Sequence, residues 1–213
     1  MSPEREDRQA LAETIPVAAI VLAAGRSTRM GNDNKLLCEV AGKPLLRHAV
    51  ESALASAARP VLVVTGHQRL EVEAALAGLA VTVVANPAYA SGLASSLKAG
   101  IGALPRQIGG ALVMLGDMPL VRPAQLDCLI AAFLAAAGRA IIVPTHRGQR
   151  GNPVLWPAAC FAEMLALKGD AGARQLFAAH GEEIREVPLD AAAILEDIDT
   201  PEALAHLRQG LGR

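Results

Sequence analysis

Aromatic residues are scarce in this chain of 213 residues. They make up 2% of the sequence, whereas hydrophobic residues as a whole make up 52%. The core must therefore be built from Ala, Val, Leu and Ile rather than from aromatic rings. A chain of this length can bury one sizeable core, so one globular domain is expected.

An excess of positive charge is also missing. Twenty basic residues against 21 acidic ones give a net charge of −1, and no basic arm or stripe occurs. Proteins that bind nucleic acid through its phosphates carry such a patch. No nucleic-acid partner is therefore expected.

Cysteines are few and long apolar runs are absent. Cys38, Cys128 and Cys160 are odd in number and far apart, which suggests neither a disulfide framework nor a zinc site and fits a reducing, cytoplasmic location. Apolar runs such as Val17–Ala24 are far shorter than the roughly 20 residues that span a bilayer, so no membrane partner is expected. Residues 1–14 are polar, lack a signal-peptide pattern and predict a flexible tail before a single domain over residues 15–213.

Short apolar runs alternate with Ala-rich amphipathic stretches. The predicted buried strands are Val17–Ala23, Pro60–Thr65, Ala80–Ala85, Ala111–Leu115 and Ala140–Val143. The predicted helices between them are Leu45–Ser56, Leu70–Ala77, Leu93–Leu104 and Pro123–Ala137. This alternation predicts an α/β fold with a doubly wound, mostly parallel sheet covered on both faces.

The pattern loosens after Val143. Residues 144–153 predict a loop, followed by helical stretches Ala158–Ala166 and Gly172–His180. A strand at Glu183–Val187 and a final helix beginning at Pro201 complete the expected chain. In sheets of this kind ligands bind beyond the carboxyl ends of the strands, and the segments after the predicted strands are polar, charged or glycine-bearing. One edge of the sheet is therefore expected to carry the chemistry.

The segment after the first strand is the most informative. It runs Leu22-Ala-Ala-Gly-Arg-Ser-Thr-Arg-Met-Gly31, and Lys35 follows. Glycines let backbone N–H groups surround an anion, and Arg and Lys neutralise a polyphosphate. It is neither a P-loop, since Lys35 has no preceding Gly and no following Ser or Thr, nor a G-x-G-x-x-G fingerprint. A solvated surface turn is the alternative, and the position after the first strand favours phosphate binding.

This run resembles the signature of the nucleoside-triphosphate transferase superfamily, and is most similar to the molybdenum cofactor cytidylyltransferases. The similarity extends from Val17 to about Leu207. Four further pieces match in order: Gly116-Asp-Met-Pro119, Arg150-Gly-Asn-Pro-Val154, Gly169-Asp-Ala-Gly-Ala-Arg174 and Asp197-Ile-Asp-Thr-Pro-Glu202. The resemblance implies a Rossmann-like fold of the nucleotide-diphospho-sugar transferase type.

The resemblance also implies roles for individual residues. Lys35 and Arg29 would neutralise charge at the reacting phosphates, and Asp117 would act with them. The nucleotide would be bound by Leu22, Ala23, Ala24, Gly25, Arg26, Ser27, Gly31 and Lys35. Thr65, Asn86 and Ser91 are added as nucleotide-binding candidates because they follow predicted strands, and Asn86 and Ser91 could equally contact the acceptor. Guanylyl-transferring relatives tend to carry Leu-Ala-Gly-Gly where this chain has Leu22-Ala-Ala-Gly25, which favours CTP over GTP.

Two carboxylates are expected to hold Mg²⁺. Asp117 follows an apolar strand, where a rigid backbone could present it to a metal bound to triphosphate, and Mg²⁺ needs only one or two protein carboxylates. The resemblance places the second near the C-terminus, at Asp199 or alternatively Asp197. Thr200 predicts a helix N-cap with Pro201 at the first helical position. Turn and capping roles remain the alternative for both acids.

The acceptor is expected at Arg150, Asn152, Asp170 and Arg174. Relatives often carry Gly-His-Pro where this chain has Asn152, whose amide can hydrogen-bond but cannot act as an acid or base. Asp170 has an alternative role as N-cap of the helix that carries Arg174. Ser95 and Ser96 could likewise contact substrate or cap a helix.

The implied function is transfer of CMP from CTP to the terminal phosphate of molybdopterin, with release of pyrophosphate. Implied partners are CTP or GTP, molybdopterin and a recipient molybdoenzyme. Two alternatives remain within the sequence evidence. One is a guanylyl- or sugar-phosphate nucleotidylyltransferase, and the other is a non-catalytic cofactor-binding chaperone for a molybdoenzyme.

Overall fold

A computed structural model describes residues 15–26, 34–170 and 172–211. Its strands are β1 (Val17–Ala23), β2 (Glu39–Val40), β3 (Lys43–Pro44), β4 (Val61–Thr65), β5 (Thr82–Ala85), β6 (Gly110–Leu115), β7 (Ile141–His146), β8 (Gln149–Arg150), β9 (Val154–Pro157) and β10 (Ile184–Pro188). Its α-helices are α1 (Leu45–Ala55), α2 (Arg69–Ala75), α3 (Leu93–Gly102), α4 (Pro123–Ala135), α5 (Phe161–Ala166) and α6 (Pro201–Leu211). Short 3₁₀ helices cover Lys35–Leu37, Tyr89–Ser91, Ala158–Cys160, Ala173–Ala178, Gly181–Glu183 and Ala192–Ile194.

The main sheet has the order β10-β7-β9-β6-β1-β4-β5, and β8 pairs with β7. β1 is parallel to both β4 and β6, β4 is parallel to β5, and β7 is parallel to β10. Among the described strands of this sheet, the β9 and β8 pairings alone are antiparallel, and β2 and β3 form a separate two-stranded antiparallel sheet. The predicted single-domain α/β fold with a mostly parallel sheet is therefore confirmed.

The core lies on both faces of this sheet. β1 is buried along its whole length, with Ala19 and Val21 in the cluster beneath α1 and α4, and Ile20 and Leu22 in the cluster beneath α3 and α5. Alternate side chains of a strand point to opposite faces, so an unbroken apolar run is required here. Gly100 of α3 has no room for a side chain, because an added Cβ would lie 2.6 Å from Ile20 Cγ2.

Three sequence predictions about these elements are wrong in detail. The run Ala80–Ala85 was expected to be buried, yet Thr82, Val83 and Ala85 are exposed because β5 is the edge strand and pairs only with β4. Residues 144–153 do not form a loop throughout. Arg147 and Gly148, with φ of 50° and 80°, make a tight hairpin turn between β7 and β8.

The third difference concerns the stretch Gly172–His180, where a 3₁₀ helix occupies Ala173–Ala178. Its N-cap residue is Gly172, so Asp170 does not cap it. Asp170 instead lies in a turn, which leaves its carboxylate available to face a neighbouring segment. Among the described residues, no helix has the length and apolar character that a bilayer crossing requires.

Candidate active site

Lys35 is positioned by the residues around it. Asn34 is buried, and its side-chain oxygen accepts a hydrogen bond from the Leu36 backbone N–H at 3.1 Å. Leu36 is itself buried in the core, at the start of the 3₁₀ helix Lys35–Leu37. This local anchoring directs the lysine side chain towards the carboxyl end of β6.

Asp117 follows β6 through Gly116. A Cβ on Gly116 would lie 2.8 Å from Leu46 Cδ1 and 3.2 Å from the Leu22 carbonyl, so a larger residue there would have to displace the Leu46 side chain. Asp117 Oδ2 accepts a hydrogen bond from Lys35 Nζ. Its other oxygen, Oδ1, is buried and has no hydrogen-bond partner among the described residues.

The residues on either side of Asp199 make hydrogen bonds that hold this segment beside Asp117. The Ile198 backbone N–H donates to the Asp117 carbonyl at 3.0 Å. Thr200 Oγ1 accepts from the Ala203 backbone N–H at 3.2 Å, which confirms Thr200 as the cap of α6. Asp199 Oδ1 accepts from the same Lys35 Nζ that contacts Asp117. Carboxylate oxygens of Asp117, Asp197 and Asp199 lie within 4.8 Å of one another.

Burial and charge compete at this cluster. Burial by itself lowers the pKa of Lys35, but Asp117 and Asp199 outweigh it, so the pKa lies above its usual range. Burial also raises the pKa of Asp117, an effect that Lys35 only partly offsets and Asp197 reinforces. A divalent cation would favour the charged carboxylates and supply a partner for the orphaned Oδ1. The residues present therefore fit a magnesium ion.

A cavity of about 420 Å³ opens above this cluster. Its lining residues are Leu22, Ala24, Gly25, Arg26, Lys35, Leu36, Tyr89, Ala90, Gly92, Leu93, Ser96, Leu115, Asp117, Asp170 and Asp199. We call it the first cavity. A Cβ added to Gly25 would meet no described heavy atom within 4 Å. Its backbone lines the first cavity, where a glycine lets a ligand approach closely.

Gly92 brings two distant segments together at this cavity. Its φ of +107° suits glycine, and an added Cβ would lie 2.4 Å from the Gly169 carbonyl oxygen and 2.6 Å from Asp170 Oδ1. The Ala94 backbone N–H also donates to the Gly169 carbonyl at 3.1 Å. Asp170 is thereby placed on the wall of the first cavity.

A second cavity of about 300 Å³ shares Leu22, Leu93 and Leu115 with the first. Its remaining lining residues are Leu97, Val113, Asn152, Val154, Trp156, Gly172, Ala173, Arg174 and Gln175. Trp156 is buried and stacks on Phe177 with ring centroids 5.4 Å apart. The second cavity therefore combines apolar walls with polar groups from Asn152, Arg174 and Gln175.

Several predicted binding residues lie outside the lining of both cavities. Ala23 is buried at the end of β1, and the Thr65 hydroxyl faces Glu73 Oε1 at 3.4 Å. Asn86 donates to Ser95 and Ser96, and so braces the turn that leads into α3.

Ser91 and Arg150 are likewise engaged with the protein. The Ser91 hydroxyl donates to the Ala88 carbonyl at 2.7 Å. Arg150 pairs with Glu186 at 2.8 Å and lies over the ring of Phe177. Their substrate roles stay predictions, as do those of Ser27, Arg29 and Gly31, which lie outside the described residues.

Tyr89 lines the first cavity although it is not among the predicted site residues. It packs against Gly66, where an added Cβ would lie 2.6 Å from Tyr89 Cβ and 2.8 Å from Ala24 Cβ. Its ring centroid is 6.0 Å from that of His67. The available signal was its place in the polar segment after β5, as the only tyrosine in the chain.

A mostly parallel sheet with a glycine-bearing first loop, a lysine and a pair of carboxylates at one cavity is the arrangement expected of a nucleotidyltransferase. Comparison with known families agrees with that class. The chain belongs to the MobA-like NTP transferase domain family, whose model matches residues 19–184.

Individual relatives support the same family. The bifunctional protein GlmU of Anaeromyxobacter sp. strain K is 44% identical over 141 residues, which are 64% of this chain and only 29% of GlmU. The crystal structure of Rv0371c from Mycobacterium tuberculosis has a TM-score of 0.81 and 28% identity, covering 92% of this chain and 99% of that one. A nucleotidyl transferase from Methanothermobacter thermautotroptrophicus has a TM-score of 0.79 and 25% identity, covering 93% and 98%. Rv0371c has also been solved as a complex with manganese.

Proposed function

We propose that this protein transfers CMP from CTP to the terminal phosphate of molybdopterin and releases pyrophosphate, in a magnesium-dependent reaction. The observation that carries the proposal is the convergence of Lys35, Asp117 and Asp199 on the first cavity. Phosphoryl and nucleotidyl transfer require positioning and neutralisation of charge. A buried lysine between two carboxylates supplies groups for both the phosphates and a metal ion.

The triphosphate occupies the first cavity in this proposal. Leu22, Ala24, Gly25 and Arg26 approach it from the end of β1, while Ser27, Arg29 and Gly31 contribute from the rest of the loop. Lys35 neutralises charge on the α-phosphate and on the departing pyrophosphate. Arg26 is exposed at the cavity wall, where it can reach a polyphosphate.

Asp117 and Asp199 hold the magnesium ion in this proposal. Support comes from the orphaned Asp117 Oδ1 and from the manganese complex of Rv0371c. When bound, Mg²⁺ neutralises the triphosphate and fixes its geometry. Lys35 donates to both carboxylates in this structure, and with the ion bound its ammonium group would instead be available to the phosphates.

The acceptor occupies the second cavity, which joins the first through shared residues. Its apolar wall of Val154 and Trp156 suits a flat heterocycle. Asn152 and Arg174 on its lining, and Asp170 at the junction, offer polar contacts to the heterocycle and its phosphate. Arg150 remains a candidate that would have to leave Glu186 to reach the acceptor.

The chemical step needs no general base from the protein. A phosphate monoester has a second pKa of about 6 and is largely a dianion near neutral pH. One of its oxygens forms a bond to the α-phosphorus, while the bond from that phosphorus to the bridging oxygen breaks. The electron pair leaves with pyrophosphate, and Lys35 stabilises the charge that develops on it.

The base preference follows from the first loop. Ala24 is buried, and its methyl group faces Gly66 beside Tyr89. Guanylyl-transferring relatives tend to have glycine at this position, and the resemblance at this residue is the basis of the preference. We therefore propose CTP as the preferred nucleotide, a cytoplasmic location, and a molybdoenzyme as recipient of the finished cofactor.

The deciding experiment measures pyrophosphate release from CTP and from GTP with molybdopterin, a sugar 1-phosphate or no acceptor. Release that needs both CTP and molybdopterin supports the proposal. Release with GTP or with the sugar phosphate assigns the alternative activity instead. Tight binding of the finished dinucleotide without any pyrophosphate release would identify a cofactor-binding chaperone.

A further inference from the structure

A second group of potential metal ligands lies at the opposite edge of the sheet. Cys160 Sγ, a ring nitrogen of His180 and a carboxylate oxygen of Glu183 lie within 4.8 Å of one another. β9 runs antiparallel to β6 and ends beside Gly110, the first residue of β6. Cys160 follows β9, so the three potential ligands lie at the amino ends of the parallel strands, whereas Asp117 lies beyond their carboxyl ends.

Both ring nitrogens of His180 lie against carboxylates. Its Nδ1 lies 2.9 Å from Glu183 Oε2, and its Nε2 lies 3.0 Å from both oxygens of Glu163. Histidines that bind metals usually donate their second ring N–H to a carboxylate, which fixes the ring. Glu163 provides that partner while Nδ1 faces Glu183.

The three residues also differ in exposure in a way that suits an ion entering from solvent. Cys160 is fully buried, His180 is half-buried and Glu183 is exposed. The thiol therefore lies at the bottom of the group, and the carboxylate lies at its mouth.

We propose that Cys160, His180 and Glu183 form a structural zinc site, with water as the fourth ligand. Sulfur, imidazole and carboxylate are all ligands that Zn²⁺ accepts in tetrahedral geometry. Zinc bond lengths separate tetrahedral ligand atoms by about 3.3–3.6 Å. Small side-chain rotations would therefore bring the three ligand atoms to the distances of a tetrahedral zinc site. The Cys160 thiol loses its proton to solvent as the zinc–sulfur bond forms.

The proposed zinc site lies next to the helix that lines the second cavity. The His180 backbone N–H donates to the Leu176 carbonyl at 3.1 Å, so His180 closes the 3₁₀ helix Ala173–Ala178. Ala173, Arg174 and Gln175 of that helix line the second cavity. A zinc ion bound to both His180 and Cys160 would connect the C-terminal end of this helix to the segment after β9. Zinc therefore stabilises the wall of the second cavity without entering it.

The test uses the Asp117→Asn variant as background, because it removes a ligand of the other metal cluster. After EDTA treatment and dialysis, zinc is titrated while the thermal midpoint is followed, and the bound metal is counted. We expect one zinc per chain and a rise of several degrees. His180→Gln should abolish the rise, whereas Glu182→Gln, an exposed neighbour of the site, should retain it.

Cobalt gives a second readout that leaves Cys160 unchanged. In a Cys38→Ser, Cys128→Ser double variant, Cys160 is the remaining cysteine, and Co²⁺ should produce the near-ultraviolet charge-transfer band of a cobalt–thiolate bond. Absence of that band overturns the proposal. An equal zinc-induced rise in the His180→Gln variant also overturns it, and would leave His180 as a purely electrostatic link between Glu163 and Glu183.

Discussion

Lys35 and Asp117 are 82 residues apart in the chain, yet they form an ion pair at the base of the first cavity. Asp199, from a third segment, binds the same ammonium group. One lysine therefore compensates two carboxylates in this structure. Because a divalent ion would compete for the same oxygens, metal binding and the position of Lys35 are coupled.

Replacing Lys35 by Met should therefore have two opposite effects. Turnover should fall by at least about 100-fold, because the group that neutralises the leaving pyrophosphate is lost. The rise in thermal midpoint caused by Mn²⁺ should become larger than in the wild type, because no ammonium competes for the carboxylates. Lys43→Met, which removes a cation paired with Glu51, is the matched control. Equal metal-induced shifts in wild type and Lys35→Met would contradict the coupling.

The two C-terminal acids should differ in importance. Asp199 contacts Lys35 and lines the first cavity, whereas Asp197 is exposed and does not line it. Asp199→Asn should raise the concentration of Mg²⁺ needed for half-maximal activity much more than Asp197→Asn does. Activity measured against Mg²⁺ concentration at saturating nucleotide gives both values. A larger effect at Asp197 would make it the second metal ligand instead.

Thr200→Ala should weaken the start of α6. Its hydroxyl accepts from the Ala203 N–H, and loss of such a cap costs about 1 kcal/mol in the free energy of unfolding. Asp199 precedes this cap, so the same variant should also need more Mg²⁺ for activity. Thr200→Ser keeps the hydroxyl and should behave like the wild type in both denaturation and activity assays. Comparable losses in the two variants would show that the hydroxyl is not responsible.

Gly92→Ala should destabilise the protein by about 1–3 kcal/mol, because φ is +107° and the new methyl group would meet the Gly169 carbonyl. Urea denaturation measures this loss. The control is Gly102→Ala at the end of α3, where an added Cβ meets no described atom within 4 Å. That change should be neutral or stabilising by about 0.5–1 kcal/mol. Unaltered stability of Gly92→Ala would mean that the two segments separate readily.

The Glu51 ion pairs should contribute to stability in a pH-dependent way. The hydrogen bond from Lys43 lowers the pKa of Glu51, despite partial burial, and Arg47 adds to the effect. Since the folded-state pKa lies below the unfolded value, the stabilisation is present above that unfolded value and is lost as the pH falls through the folded one. Glu51→Gln should cost roughly 0.5–1 kcal/mol at pH 7, because the pairs are partly exposed. The difference from wild type should vanish in acid, and a constant difference at every pH would exclude the ionic origin.

The alternation of apolar runs determined much of the fold from sequence alone. Strands such as Val17–Ala23 are buried on both faces, so both sets of side chains must be apolar and the run is unbroken. β9 was not predicted, because its four residues end in proline and follow directly on a Gly- and Arg-bearing segment that indicates a loop. The exposure of β5 was missed for a different reason. An apolar run in the sequence does not indicate whether the strand pairs with one neighbouring strand or with two.

For the candidate site, the sequence by itself determined which residue types could bind phosphate and metal, and that the segments after parallel strands would share one edge. Neighbouring residues in the chain were sufficient for these predictions, as for the Thr200 cap beside Asp199. Only the tertiary structure decided which side chains meet: Lys35 with both acids, Asp170 beside Gly92, and Cys160 with His180. Such contacts join residues far apart in the chain, and their geometry is set by packing of the whole sheet rather than by any local pattern.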